Sequence, residues 1–146
     1  MSSEQIVRET LAAIEAHDLN KAAGYAADNL IVRDRTLPNT LDKNTFFTQM
    51  GAILQAFPDW KYEIGELVSQ NNQVTVTVRA LATHSNPLQL PGLPPIAATG
   101  NHVNVPDKFI FTVTDDKISA LVIDSPPHGG AAEMLRQLGI TLPSRL

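Results

Sequence analysis

Two aspartates and one histidine close to predicted strand ends are the residues of this sequence best suited to moving a proton. Asp107 and Asp124 lie on the two arms of a predicted hairpin, and His84 ends a strand within the triplet Ala-Thr-His. A carboxylate in an apolar setting can act as a general acid, and histidine titrates near neutral pH. The sequence therefore predicts acid/base chemistry, with these three residues as the candidate catalytic groups.

Whether the two aspartates face each other depends on the turn between their strands. A two-residue turn at Asp115-Asp116 sets Asp107 directly opposite Asp124 on one face of the sheet. A three-residue loop sets Asp107 opposite Ile123 and turns Asp124 to the other face. In the first register the confined carboxylates would share a proton and one pKa would rise. In the second register only a strand bulge would restore the pair.

Large apolar side chains on the predicted helices and strands could line a pocket for a flat hydrophobic molecule. The same side chains could equally fill a core, which is their commoner use. The candidate substrate-binding residues are Trp60, Phe46, Met50, Leu54, Phe109 and Phe111.

The composition excludes several other kinds of site. The sequence has no cysteine, and no two of its four histidines have ligand spacing on one element, so we expect no metal. The formal charge of -4 gives nucleic acid little to bind. No apolar run approaches the length that spans a membrane, and the N-terminal residues do not resemble a signal peptide. We therefore expect a cytoplasmic protein that contacts neither nucleic acid nor membrane.

The elements that must position these residues follow from the spacing of apolar side chains. Ser2 and Gln5 have capping-box spacing at the start of a first helix, and Asp18 can cap a short second helix that extends through Tyr25-Ala26. A brief strand at 30–32 comes before a third helix. That third helix carries one apolar face made by Phe46, Met50, Ile53, Leu54 and Phe57.

From Trp60 onward the apolar period changes from helical spacing to the period of two that is typical of strands. Residues 74–79 alternate valine with polar residues, strand resumes near 101 and continues to 113, and residues 118–123 return after the turn. A last helix packs Met134, Leu135 and Leu138 inward. Helices followed by hairpins predict a single α+β domain over residues 1–146.

Several short segments, together with the order of elements, carry a resemblance to a known family. The segments are Glu15-Ala16-His17-Asp18-Leu19, Phe57-Pro58-Asp59, Ala82-Thr83-His84, Gly92-Leu93-Pro94-Pro95, Asp116-Lys117-Ile118 and Leu135-Arg136-Gln137-Leu138-Gly139. In these segments the chain resembles the SnoaL-like polyketide cyclases. The order of elements resembles the wider nuclear-transport-factor-2-like cone, in which three N-terminal helices and a C-terminal helix close a curved antiparallel sheet around a pocket.

The resemblance implies cofactor-free proton transfer and intramolecular aldol chemistry on a small hydrophobic carbonyl compound, within a homodimer. The family's catalytic aspartate and histidine fall on Ile123 and Phe109, so the acid/base role passes to Asp124 or Asp107, with His84 assisting. Two alternatives stay open. One is a non-catalytic small-molecule binder, which the apolar Ile123 and Phe109 favour. The other is an epoxide hydrolase or isomerase, which requires Arg79 to point inward.

Overall fold

Three of the four helices begin at a side chain that accepts a hydrogen bond from the first turn. In the computed structural model, which describes residues 1–90 and 92–140, the caps are Ser2, Asp18 and Asp42. The third cap was not expected from the sequence. No helix among the described residues is long and apolar enough to cross a membrane. The helices are α1 (Ser3–Glu15), α2 (Leu19–Gly24), α3 (Lys43–Ala56) and α4 (Gly130–Gln137).

Six strands form one curved sheet that does not close on itself, in the order β2-β1-β6-β5-β4-β3. The predicted hairpins are antiparallel, whereas β1 runs parallel to β6. These two strands are separated by most of the chain, so no hairpin sets their direction. The α+β fold is confirmed, except that the sheet is mixed and Ala26 lies in β1, not in α2. The strands are β1 (Ala26–Asp34), β2 (Leu41–Asp42), β3 (Lys61–Gln70), β4 (Gln73–Thr83), β5 (His102–Thr114) and β6 (Lys117–Ile123).

A bulge between β5 and β6 decides which residues oppose each other near the site. Asp115 and Asp116 form the predicted two-residue turn, both with positive φ, and Thr114 pairs with Lys117. Beyond Val113 the register shifts by one residue, because Ser119 is the extra residue of a bulge. Its hydroxyl bonds the Thr114 side chain at 3.0 Å.

The helices cover one face of the sheet, which we call the inner face. Along β4 the inward residues are small or branched and are almost completely buried. Along β5 the inward residues have odd numbers, so Asp107 points to the same side as Phe109 and Phe111. The inward residues of β4 are Val74, Val76, Val78, Ala80 and Ala82.

The C-terminal helix closes one end of the inner face. Met134, Leu135 and Leu138 pack inward, as predicted, against a cluster that includes Phe57 and Val103. The first half of β5 extends beyond β6, and the side-chain amide of Gln137 takes the place of a strand there. It accepts the Asn104 N–H at 2.8 Å and donates to the Asn104 carbonyl at 3.0 Å. The backbone N–H and carbonyl of Asn104 are thereby paired where no strand lies beside β5.

Candidate active site around Asp107

Asp107 is a partly buried carboxylate on an otherwise apolar stretch of the inner face. The nearest residues on the same face of β5 are Val105 and Phe109, and Asp107 pairs with Val78 of β4. The raised pKa of Asp107 follows first from this burial, and the negative charges of Asp34 and Asp124 act in the same direction. The carboxyl is therefore easier to protonate than an ordinary aspartate.

The two oxygens of this carboxylate have different surroundings. Oδ1 accepts the Ser125 hydroxyl at 2.8 Å and the backbone N–H of Lys108 at 2.9 Å, and both bonds oppose the rise in pKa. Oδ2 makes no hydrogen bond within the described part of the chain and is not one of the sealed atoms that lack a partner. Oδ1 is therefore held in place while Oδ2 is free to exchange a proton.

Two adjacent glycines let the start of α4 approach this carboxylate. A Cβ on Gly129 would lie 2.4 Å from the Pro106 carbonyl oxygen, and a Cβ on Gly130 would lie 2.3 Å from the Ser125 hydroxyl. Gly130 has φ of +70°, a conformation that favours glycine. Asp107 Oδ2 is 4.0 Å from the same added Cβ position. Any side chain at 130 would therefore displace the group that holds Asp107.

The structure does not bring Asp124 and Asp107 together as opposed residues. The turn has two residues, as one of the two predicted registers requires. The bulge at Ser119 then shifts the ladder, so Phe109 pairs with Ile123 and the next inward contact joins Asp107 to Ser125. The expectation that a two-residue turn would oppose the aspartates is wrong for this reason.

Asp124 lies among basic side chains. Its Oδ2 contacts Arg35 at 3.0 Å and Lys108 at 3.9 Å, and its side chain is 30% exposed. Its backbone N–H donates to the Lys108 carbonyl oxygen at 2.9 Å. Of the two predicted aspartates, Asp107 alone has an apolar setting.

His84 is fully buried and lies far from Asp107. It stands six positions along β4 from Val78, the partner of Asp107, which is roughly 20 Å at about 3.3 Å per residue. Its Nδ1 accepts the Thr99 N–H at 3.1 Å, which leaves the ring proton on Nε2. Burial lowers the pKa of His84. In this position the ring holds the loop that contains Thr99. A small molecule bound at Asp107 would not reach it.

Five aromatic rings form an edge-to-face ladder across the inner face, and one of its middle rings, Phe109, is the next inward residue of β5 after Asp107. Centroid distances between successive rings range from 5.7 to 6.2 Å. The two ends of the ladder are buried, whereas its three middle rings are partly accessible. The middle of the ladder is therefore the part of it that is less tightly covered. In order, the rings are Phe57, Trp60, Tyr62, Phe109 and Phe111.

The six predicted substrate-binding residues divide between this ladder and the core. Trp60, Phe109 and Phe111 belong to the ladder. Phe46, Met50 and Leu54 belong to a packed cluster beneath α1, in which Leu54 is 3% exposed. A role for all six in binding stays a prediction, and Trp60 and Phe109, which are only partly buried, have the better position for it.

Two surface concavities lie elsewhere, between α3 and the loop after β4. One has a volume of about 300 Å³ and the other about 490 Å³, and they share Ala52 and Gln89 in their walls. Neither is lined by Asp107 or by a residue of the aromatic ladder. Among the described residues there is also no group of three acidic or histidine side chains that could hold a metal ion.

Three contributors to the site were not singled out in the sequence. Ser125 orients Asp107, and Tyr62 stands between Trp60 and Phe109 in the ladder. Glu15 accepts the backbone N–H of Tyr62 at 2.6 Å and so joins α1 to β3. One signal was available, since Glu15 opens one of the family segments and Tyr62 lies in the inward phase of its strand.

With this geometry in view, the chain can be compared with known proteins. The profile of the SnoaL-like domain family matches residues 7–121. The chain belongs to the SnoaL-like domain family. No curated protein sequence matches this SnoaL-like domain.

Solved structures agree with the fold of this SnoaL-like domain. AclR from Streptomyces galilaeus, a proposed hydroxylase, is 19% identical, with a TM-score of 0.77 over 94% of this chain and 95% of its own. IdmH from Streptomyces antibioticus, a proposed polyketide cyclase, is 20% identical, with a TM-score of 0.74 over 96% and 100%. An NTF2-like protein of unknown function from Cytophaga hutchinsonii is 11% identical, with a TM-score of 0.62 over 88% and 93%. At these identities the likeness establishes the nuclear-transport-factor-2-like fold alone.

Proposed function

We propose that this SnoaL-like domain catalyses cofactor-free proton transfer at a carbon next to a carbonyl group in a small hydrophobic molecule, with Asp107 as the acid/base. The observation that carries the proposal is the asymmetry of the Asp107 carboxylate. Oδ1 is fixed by Ser125 and Lys108, while Oδ2 makes no hydrogen bond to the described residues. A fixed base with an accessible oxygen and a raised pKa suits removal of a weakly acidic proton.

The proposed reaction is an intramolecular aldol closure. Oδ2 of Asp107 takes the proton from the carbon, and the electron pair of that C–H bond forms an enolate. The enolate carbon attacks a second carbonyl carbon of the same molecule, which makes a C–C bond and leaves an alkoxide. The Asp107 carboxylic acid then returns its proton to the alkoxide, so no cofactor or external oxidant is consumed.

The family resemblance supports a displaced catalytic position. The family's aspartate and histidine fall on Ile123 and Phe109, which pair with each other across β5 and β6. Asp107 and Ser125 form the next inward contact along the pair of strands β5 and β6. The Asp107 carboxylate would thus lie on the same face of the sheet as the family's catalytic positions, two residues farther along β5.

Exchange of hydrogen for deuterium tests the proton-transfer step without knowledge of the natural substrate. Hydrophobic ketones such as 2-tetralone, and β-keto esters, are incubated with the protein in D2O. Loss of the α-proton signal is followed by NMR. We expect Asp107→Asn to reduce the enzymatic exchange rate by about 10²-fold or more. Asp124→Asn is the matched control, because it also removes one carboxylate from the same hairpin. Equal exchange rates in wild type and Asp107→Asn would refute the acid/base role.

A non-catalytic binding protein is the second candidate function. The apolar Phe109 and Ile123 at the family's catalytic positions favour it. A ligand-induced rise in melting temperature without any α-proton exchange would support it. The epoxide hydrolase alternative has less support, because Arg79 is exposed on the outer face and donates to Asn104 at 3.0 Å.

We further propose that a second copy of this chain covers the outer face of the sheet. Ile31 is 47% exposed there, Val122 lies on the adjacent strand β6, and Ile110 of β5 pairs with Val122; both are only partly buried. Ile110→Glu should shift the protein to monomer in analytical ultracentrifugation, whereas Thr48→Glu on α3 should not. An unchanged sedimentation coefficient would contradict this dimer. The cytoplasmic location stays a prediction.

A further inference from the structure

Three polar atoms around the centre of the aromatic ladder have no hydrogen-bond partner among the described residues. They are the indole N–H of Trp60, the hydroxyl of Tyr62 and Oδ2 of Asp107. The Trp60 nitrogen is fully sealed from solvent, and an unpartnered buried donor costs about 1–3 kcal/mol. The other two atoms are not sealed from solvent, so among these three only the indole N–H requires an explanation, and the Tyr62 hydroxyl is the polar group beside it.

The donors and acceptors of these groups restrict what can satisfy them. An indole N–H can only donate, whereas a phenol has one proton to give and two lone pairs. Trp60 and Tyr62 are neighbours in the ladder, with centroids 5.9 Å apart, and the indole lies near the phenol without forming a hydrogen bond of normal geometry. If the phenol accepts from the indole, its own proton is directed to a third group. Among the described residues it makes no hydrogen bond to any acceptor.

We propose that the Tyr62 hydroxyl, supported by the Trp60 indole N–H, binds the carbonyl oxygen of the substrate while Asp107 faces the adjacent carbon. The inference rests on the proposed function for the role of Asp107. It adds the group that stabilises the enolate oxygen, and it names the ligand class as a flat aromatic or conjugated ketone. Charge develops on that oxygen when the proton leaves, so a fixed donor there lowers the barrier.

The surroundings of Tyr62 suit this role. Glu15 fixes its backbone, and the edge-to-face contacts with Trp60 and Phe109 fix its ring, the latter at 6.2 Å. Phe109 is the next inward residue of β5 after Asp107, which puts the phenol and the carboxylate at the same part of the inner face. Burial raises the pKa of Tyr62 to about 12, and Asp107 and Glu15 add to the rise while the indole opposes it. The hydroxyl therefore keeps its proton at neutral pH and acts as a donor.

Infrared spectroscopy of a bound ketone tests the hydrogen bond directly. The probe is 2-tetralone labelled with ¹³C at the carbonyl, and its binding is followed through the fluorescence of Trp60, the single tryptophan of the chain. We expect the carbonyl stretch to move to lower frequency on binding the wild-type protein. Tyr62→Phe should abolish that shift and weaken binding about tenfold. Tyr25→Phe, which changes the only other tyrosine, should leave both quantities unchanged.

The outcomes distinguish this inference from the proposed function. No binding of 2-tetralone to the wild type, or an unchanged carbonyl shift in Tyr62→Phe, would overturn it. If Tyr62→Phe does not fold, wild-type protein labelled with 3-fluorotyrosine replaces it. The more acidic phenol is a stronger donor and should lower the carbonyl stretch further, and an unchanged frequency would overturn the proposal. A carbonyl shift that depends on Tyr62, together with α-proton exchange that survives Asp107→Asn, upholds the carbonyl site and refutes only the acid/base role.

Discussion

Replacement of Gly130 by alanine tests whether α4 truly presses on the residues that hold Asp107. The added Cβ would lie 2.3 Å from the Ser125 hydroxyl oxygen and 2.8 Å from the Ser125 Cβ, both closer than real Cβ atoms approach. The second contact is to the root of a side chain, so a rotamer change does not relieve it. Ser125 or the start of α4 has to move, and the bond from Ser125 to Asp107 lengthens or breaks.

The expected loss of unfolding free energy in Gly130→Ala has two parts. Alanine at φ of +70° costs about 1–2 kcal/mol relative to glycine, and crowding of a packed site adds about 1–3 kcal/mol. The total is about 2–5 kcal/mol, which for a domain of this size lowers the melting temperature by roughly 3–4 °C per kcal/mol.

Gly139→Ala is the matched control for this experiment. Gly139 also has a positive φ, +83°, but no atom of the described residues beyond its own chain neighbours lies within 4 Å of its added Cβ. It should therefore lose only the backbone part, about 1–2 kcal/mol. Both variants are compared by thermal unfolding and by α-proton exchange of 2-tetralone, where Gly130→Ala alone should slow exchange. If the two variants lose equal stability and keep equal exchange rates, the close approach of α4 to Ser125 is refuted.

Three further predictions concern single side chains at the site, in α4 and in the core. Ser125→Ala should raise the pKa of Asp107 further, because a donor that favours the charged carboxylate is lost. Titration of the Asp107 carboxyl by ¹³C NMR measures this pKa. An unchanged midpoint would count against the hydrogen bond from Ser125 to Asp107. The pKa of Glu133 is lowered to about 2 by Arg136, so its stabilisation is complete above about pH 4.5 and declines towards pH 2. Glu133→Gln should therefore be less stable than wild type near neutral pH, and the difference in unfolding free energy should shrink below pH 4.5. Leu54→Ala should cost about 2–5 kcal/mol in urea unfolding if Leu54 fills the core, and a much smaller loss would favour a place in a cavity wall.

Much of the fold could be predicted because it depends on local patterns. Ser2 and Asp18 predict the starts of two helices, and the alternation around Val76 predicts a strand with one buried face. The turn at Asp115-Asp116 also formed as expected, since aspartate tolerates positive φ. The parallel pairing of β1 with β6 is different in kind, because it joins distant segments and no local signal sets its direction.

The site was harder to predict because one extra residue changes every contact beyond it. With strict alternation the two aspartates would oppose each other, but the bulge at Ser119 replaces Asp124 by Ser125 as the neighbour of Asp107. A signal was present: Ile118 and Leu121 are both apolar, which a strand without a bulge would place on opposite faces.

The burial of His84 depends on a distant loop, so its sequence context gave no means of placing it. Thr99 belongs to that loop and bonds the ring through both its N–H and its hydroxyl. The triplet Ala-Thr-His is equally compatible with a strand end that opens into a pocket. Long-range packing, not the local pattern, decides between these cases.

The side-chain amide of Gln137 has a consequence for variants of the last helix. Three hydrogen bonds, two between this amide and the Asn104 backbone and one from the Asn101 side chain to the Gln137 carbonyl, join α4 to β5. None of them joins two neighbouring strands, so replacing Gln137 removes the two amide bonds without unpairing any strand of the sheet. The buried side chains of Met134 and Leu135 would still hold the helix against the inner face.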